Sequence, residues 1–123
     1  GAKPCPPVSI GVGLGGTIDV ALKIAKKALL RPIGVRNEFD ELNALEDELL
    51  SLVNTLGIGP HGVGGKTTAL TVHVDYASRH PASYAAAVAF NCWAARRSKM
   101  VVTSDGDVKF VTHEFLNKLW REL

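Results

Sequence analysis

An apolar run that ends in glycines leads directly into a helical pattern near the start of the chain. Val8–Leu14 is short and apolar, and Gly15 and Gly16 follow it. A run of this length bounded by glycines is typical of a buried β-strand. Thr17 is then predicted to cap a helix over Ile18–Arg31, whose apolar residues share one face. The chain must therefore combine a strand and a helix in one core.

The middle of the chain continues this alternation of helix and strand. Asn37 is predicted to cap a second amphipathic helix over Glu38–Leu56. Leu70–Tyr76 alternates apolar and polar residues, which indicates a half-buried strand. Tyr84–Trp93 is compatible with a helix or with a central strand, and we favour the strand because its small residues allow close packing.

The last part of the chain predicts a hairpin and a short helix. Met100–Thr103 and Val108–Val111 flank a Ser-Asp-Gly-Asp turn signal. Thr112 is predicted to cap a short helix, which carries Phe115, Leu119 and Trp120. The predicted fold class is α+β (mixed α/β): a small mixed sheet flanked by two amphipathic helices, with a C-terminal hairpin and helix, in a single domain over residues 1–123.

Composition excludes several classes of function. A chain of 123 residues with 46% hydrophobic residues is long enough for one core. Its net charge of +2 gives no reason to expect a nucleic-acid partner, and no apolar run is long enough to predict a membrane span. With two distant cysteines and no secretory signal, we expect a cytoplasmic protein.

Two glycine-rich motifs resemble nucleotide sites without matching them. Gly11–Gly16 fits G-x-G-x-x-G, but Glu38 opens a helix where the dinucleotide motif needs an acidic residue after a second strand. The segment Gly64-Gly65-Lys66-Thr67 resembles the end of a phosphate loop, but Pro60 replaces its first glycine. This second segment is therefore either an anion-binding loop or a plain connection.

Polar residues elsewhere have simple interpretations, whereas the two cysteines have three possible roles. Glu46, Asp47 and Glu48 are predicted to form a solvated helix face, and His73 a polar surface position. Cys5 and Cys92 are 87 residues apart and would be buried free thiols, a disulfide or part of a metal site. Of the four histidines, His80 stands out because it lies in the loop between a strand and the segment that bears Cys92.

Three segments together resemble the iron–sulfur (class I) fumarate hydratase and L(+)-tartrate dehydratase family, in its alpha subunit or N-terminal catalytic half. Their order and spacing fit that family, and they cover most of residues 1–97. The segments are CPPVSIGVGLGG (Cys5–Gly16), LGIGPHGVGGKTTAL (Leu56–Leu70) and RHPASYAAAVAFNCWAARR (Arg79–Arg97).

The resemblance implies a hydro-lyase that interconverts fumarate and malate, or tartrate and oxaloacetate. In that family three cysteines hold a [4Fe–4S] cluster, and Cys5 and Cys92 match the second and third. His80 matches the active-site histidine. The glycine loop, with Gly64, Gly65, Lys66 and Thr67, would bind the C4 dicarboxylate substrate. Other site residues would come from a beta subunit or C-terminal domain.

Two cysteines cannot complete a three-cysteine site. We therefore expect the C-terminal part of a larger fumarase-type alpha subunit, inactive alone. We also expect it to self-associate as a homo-oligomer, because a fragment exposes apolar surface near Cys5 and Cys92 that missing segments would cover. The competing hypothesis is a non-catalytic module that binds an anion or a partner through its glycine loops. Close approach of Cys5, Cys92 and His80 would favour the enzyme.

Overall fold

A three-stranded mixed sheet forms the centre of the computed structural model, which describes residues 1–112, 114 and 117–118. The middle strand, β1 (Val8–Gly15), pairs in parallel with β2 (Ala69–Ala77) and antiparallel with β3 (Ala86–Asn91). The strand order is β2-β1-β3. The preference for a strand over Tyr84–Trp93 is therefore confirmed.

The first helix, α1 (Ile18–Ala28), packs on one face of the sheet with almost no space between the backbones. A Cβ atom on Gly13 would overlap the carbonyl oxygen of Ala21 and lie 2.6 Å from the Ala25 nitrogen. A Cβ on Gly11 would lie 2.9 Å from Leu29 Cγ. The glycines of β1 thus allow a helix to lie directly on the strand backbone.

The second helix, α2 (Asp40–Thr55), covers the opposite face of the sheet. The buried core on that face consists of five strand residues, which are Val8, Ile10, Ala69, Val72 and Val74. Apolar residues of α2 pack against them, namely Leu42, Leu45, Leu49, Leu50 and Val53. Helices therefore flank a small mixed sheet on both faces, and the predicted α+β class is confirmed.

The N-cap residue is as predicted for α1 but not for α2. Thr17 is at the N-cap of α1, but its hydroxyl donates to Asp19 Oδ1 (2.6 Å) and makes no capping bond. Phe39, and not Asn37, is the N-cap residue of α2. Asn37 instead donates from Nδ2 to the carbonyl oxygen of Val74 (2.9 Å). It anchors the chain before α2 to the sheet.

A buried polar network joins the two helices to β2, and two predictions fail there. Glu46 is only 4% exposed and His73 only 3%, so neither lies on a solvated face. Glu46 forms an ion pair with Arg31, and its Oε1 also accepts from the Val74 backbone N–H (2.8 Å). His73 bridges Thr71 Oγ1 (2.9 Å) and the Ala28 carbonyl oxygen (3.2 Å). Apart from Thr71, the partners of both residues lie on other segments of the chain, which the local pattern does not reveal.

The buried imidazole predicts that acid destabilises the fold. Burial, and secondarily the positive charge of Arg31, lower the pKa of His73 below 6.5, although Glu46 opposes this. The unfolded chain therefore takes up a proton at this position at a higher pH than the folded chain does. The contribution of neutral His73 to the free energy of unfolding should be fully present above about pH 7. It should decrease as the pH drops below about 6.5, by at most about 1.4 kcal/mol per pH unit.

Urea unfolding at pH 7.5, 6.5 and 5.5 measures this dependence. His73→Gln should flatten the slope between the two lower pH values, whereas His61→Asn, a change at an exposed histidine, should keep it. Equal slopes for the native chain and His73→Gln would contradict the assignment.

A two-stranded hairpin follows the sheet. Strands β4 (Met100–Val102) and β5 (Val108–Phe110) pair antiparallel, and the Thr103 N–H donates to the Asp107 carbonyl oxygen (2.9 Å). The predicted hairpin is confirmed. Three residues predicted for the terminal helix lie outside the described residues, namely Phe115, Leu119 and Trp120. Within the described part of the chain, no helix is both long and apolar enough to cross a membrane.

Candidate metal centre

The strand register brings the two cysteine segments to the same edge of the sheet. Cys5 precedes the first residue of β1, and Cys92 follows the last residue of β3, which runs antiparallel to it. Ser9 of β1 pairs with Asn91 of β3. Val8 pairs with Ala69 at the start of β2, so the glycine-rich loop before β2 reaches this edge as well.

Cys5 lies in an unusual turn. Its φ of 53° is in the left-handed region, which for a residue with a side chain carries a strain of about 1 kcal/mol or more. The Cys5 N–H donates to the carbonyl oxygen of Ala2 (2.9 Å), and Pro6 next to it is fully buried. The thiol itself is free and exposed. A strained backbone thus holds an exposed thiol at the start of the central strand.

Cys92 lies in a second turn that contacts the first. Its Sγ accepts from the Ala94 N–H (3.3 Å) and caps the short 3₁₀ helix Trp93–Ala95. The Trp93 N–H donates to the Cys5 carbonyl oxygen (3.0 Å), which joins the two cysteine turns through the main chain. Cys92 is also exposed and free, so the two thiols lie in adjoining turns without a disulfide.

The glycine-rich loop folds against the Cys5 turn. The His61 N–H donates to the carbonyl oxygen of Pro6 (2.8 Å), and Gly62 has no room for a side chain because Ala2 occupies that space. The Gly59 N–H donates to Thr68 Oγ1 (3.2 Å) at the end of the loop. The four residues predicted to bind substrate are exposed at this same edge, namely Gly64, Gly65, Lys66 and Thr67.

A cavity of about 620 Å³ opens beside Cys92. Three arginines contribute to its lining, namely Arg31, Arg96 and Arg97. The Arg96 guanidinium stacks on the Trp93 ring at 4.7 Å from its centroid, and Arg31 is already paired with Glu46. Positive side chains around a cavity of this size favour a small anion. Arg96 and Arg97 were not among the predicted site residues, although their position directly after the Cys92 turn was a signal for them.

His80 lies at the other end of the sheet. It follows Ala77, which pairs with Gly15 at the far end of β1. The eight residues of β1 span roughly 23 Å at about 3.3 Å per residue, so the imidazole of this chain is far from both thiols. Its Nδ1 accepts from the Ala82 N–H (3.2 Å), and Arg79 braces the loop through three carbonyl oxygens. The structure brings Cys5 and Cys92 together but does not bring His80 to them.

A family model described as fumarate hydratase (fumerase) matches residues 1–101, which include both cysteine turns, the glycine-rich loop and the whole three-stranded sheet. The chain belongs to the fumarate hydratase family. The resemblance read from the sequence is thereby confirmed.

Curated relatives within the fumarate hydratase family cover most of this chain. A Methanocaldococcus jannaschii protein named "Putative L(+)-tartrate dehydratase subunit alpha" is 54% identical over 98 residues, which are 80% of this chain and 34% of the relative. The L(+)-tartrate dehydratase subunit alpha of Escherichia coli K12 is 39% identical over 109 residues, which are 89% of this chain and 36% of the relative. The chain thus spans about a third of the length of these relatives.

Two exposed thiols in adjoining turns match part of the donor set that an iron–sulfur cluster requires. Thiolates are the ligands of such clusters, and a backbone N–H directed at a ligating sulfur, as Ala94 provides, is a common feature of their surroundings. Among the described residues, no three side chains of His, Cys, Asp or Glu come together as a metal site. Cys5 and Cys92 therefore fit an iron–sulfur cluster as two members of a larger set of ligands.

Proposed function

We propose that this chain provides two cysteine ligands of a [4Fe–4S] cluster in a hydro-lyase that acts on a C4 dicarboxylate. The reaction would be the reversible hydration of fumarate to malate or the dehydration of tartrate to oxaloacetate. Membership of the fumarate hydratase family and relatives named as tartrate dehydratase subunits support a hydro-lyase component.

The observation that carries the proposal is the hydrogen bond from the Trp93 N–H to the Cys5 carbonyl oxygen. It is a main-chain contact between residues 88 positions apart, and it holds the two thiol-bearing turns side by side. Neither thiol packs into an apolar core, as a purely structural cysteine would. This supports Cys5 and Cys92 as ligands of one shared group.

The residues around the thiols have separate proposed roles. Cys5 and Cys92 would hold the cluster, and the Ala94 N–H would stabilise the negative charge on the Cys92 sulfur. When bound with three protein thiolates, such a cluster supplies an open Lewis-acidic iron that polarises a substrate hydroxyl. Arg96 and Arg97 would attract the carboxylates of the substrate into the cavity beside Cys92. Lys66 adds a positive charge at the same edge of the sheet.

The remaining parts of the site would come from outside this chain. A third thiolate is required, and the relatives are named as alpha subunits, which supports a separate partner subunit in this protein as well. His80 matches the family histidine, but within one copy it is too far from the thiols to move a proton at their substrate. We therefore assign no step to His80 at the centre of its own chain.

The test is the loss of iron from cysteine variants of the assembled enzyme, in which this chain forms part of the alpha subunit with its partner subunit. Cys5→Ser and Cys92→Ser should each lower the iron content and the visible absorption of the cluster, and should lower turnover of L-tartrate, malate or fumarate by more than about a hundredfold. Ser51→Ala, a change at an exposed position of α2, should leave both readouts unchanged.

The two measurements separate the possible outcomes. Full cluster content and full turnover in both serine variants would overturn the proposal and favour a module that binds an anion or a partner. Stoichiometric cluster and turnover in the 123-residue chain alone, after anaerobic reconstitution, would instead show that no further ligand is needed.

A further inference from the structure

We propose that the uncovered half of the sheet, beside α2, is the docking site for a helix from the part of the alpha subunit that lies outside this chain. The site is an apolar groove of about 810 Å³. Val12, Val88 and Phe90 form its floor on the sheet. Leu49 and Val53 of α2, with Leu56 directly after the helix, form its wall. This proposal depends on membership of the family and not on the cluster.

The groove is a continuation of the hydrophobic core without a cover. Phe90 pairs with Ile10 and Val88 with Val12, so these β3 side chains share the face that carries the core. Phe90 is nevertheless 54% exposed and Val88 52% exposed. A strand with one face this apolar is normally covered by another layer.

Helix α2 also carries apolar surface that the described residues leave uncovered. Its only buried residues are polar, namely Asn43 and Glu46. The leucines that pack on the sheet remain partly exposed, and Leu52 and Leu56 are more than half exposed. The apolar stripe of α2 is therefore wider than the surface it covers, and a second contact on its flank would bury the rest.

The spacing of the strands favours a helix as the occupant. Helix α2 contacts β2, and β3 lies two strands away in the order β2-β1-β3, at about 9.5 Å. Neighbouring helices pack with their axes about 8–10 Å apart. A helix laid beside α2 would thus rest over β3, with its apolar stripe on Val88 and Phe90 and its flank against Leu56.

As the source of the docked helix, the rest of the same alpha subunit is favoured over a second copy of this chain. The relatives have about two thirds of their length outside the matched region, so they carry ample chain for a further helix. Among the described residues β3 pairs only with β1. A second copy could therefore add a strand along the unpaired side of β3. Such pairing would extend the sheet sideways and leave Val88 and Phe90 uncovered.

The test compares the accessibility of one groove position in the chain alone and in a complete alpha subunit. The complete subunit is the Methanocaldococcus jannaschii relative with its 98 matched residues exchanged for those of this chain. Val88→Cys, in a background with Cys5→Ser and Cys92→Ser, is labelled with a maleimide. Ile18→Cys, at an exposed position of α1 outside the groove, is the matched control.

Labelling of Val88→Cys should be at least tenfold slower in the complete subunit than in the chain alone, whereas Ile18→Cys should react equally in both. Equal labelling of Val88→Cys in both would overturn the proposal. Protection that appears in the chain alone and grows with concentration would identify a second copy as the occupant and also overturn it. If the exchanged protein precipitates, the cysteine is placed at the aligned position of the intact relative. Its labelling is then compared with that of the matched segment of the relative alone. Because the background lacks both thiols, a failure of the cluster proposal leaves this result unchanged.

Discussion

Gly13→Ala should lower the free energy of unfolding by about 3 kcal/mol or more, at the upper end of the effects of overpacking. The added Cβ would overlap the Ala21 carbonyl oxygen and lie 2.6 Å from the Ala25 nitrogen. Both are backbone atoms of α1, so no side-chain rotation relieves the contact. The helix would have to move away from β1 and give up its packing against the sheet.

Urea denaturation followed by far-UV circular dichroism measures this loss. Gly34→Ala is the matched control because a Cβ there meets nothing within 4 Å, although its φ of 87° imposes backbone strain. The control should lose only about 1 kcal/mol. An equally mild effect of Gly13→Ala would show that the contact between α1 and β1 is looser than the structure indicates.

Glu46→Ala should cost about 3–5 kcal/mol, since it removes one member of a buried ion pair. Arg31 would keep its charge in a site where its Nη1 atom already has no hydrogen-bond partner among the described residues. The Val74 backbone N–H would also lose its acceptor. The variant therefore leaves a charge and a donor unpaired in the same place.

Three further variants separate the contributions. Glu46→Gln retains an acceptor for the Val74 N–H and should lose less than Glu46→Ala. Glu48→Ala, an exposed change on the same helix, should have an effect near zero. Arg31→Met combined with Glu46→Leu should recover much of the loss, because replacing a buried pair with apolar residues is often neutral. A loss below about 1 kcal/mol for Glu46→Ala would contradict a buried role for the pair.

The local pattern of the sequence predicted most of the elements but not their arrangement. Apolar periodicity identified β1, α2 and β2 within a few residues because burial of one face repeats at a fixed spacing. Pairing order is a non-local property, so the parallel and antiparallel partners of β1 could not be read from it. Glu46 shows the same limit, because its solvated and buried interpretations differ only through Arg31 and Val74, which lie elsewhere in the chain.

The candidate site could be predicted only in part, again because distances between elements are non-local. The proximity of the Cys5 and Cys92 turns was predicted from the family resemblance, and the pairing of β1 with β3 provides its physical basis. His80 was expected near the thiols because the family resemblance matches it to an active-site histidine. The six-residue strand β3 lies between His80 and Cys92 and carries the chain from one end of the sheet to the other. A resemblance assigns a role to a position but gives no distance within one copy of the chain, so this separation could not be predicted from it.

The two faces of the central strand differ in how much change they can accept. On the α1 side, Gly11 and Gly13 leave less room than a single methyl group needs. On the α2 side, larger apolar residues at partly exposed positions meet open space and not backbone. Efforts to make this chain more robust as an isolated protein should therefore enlarge or solubilise side chains in the open groove beside α2, and leave the residues beneath α1 unchanged.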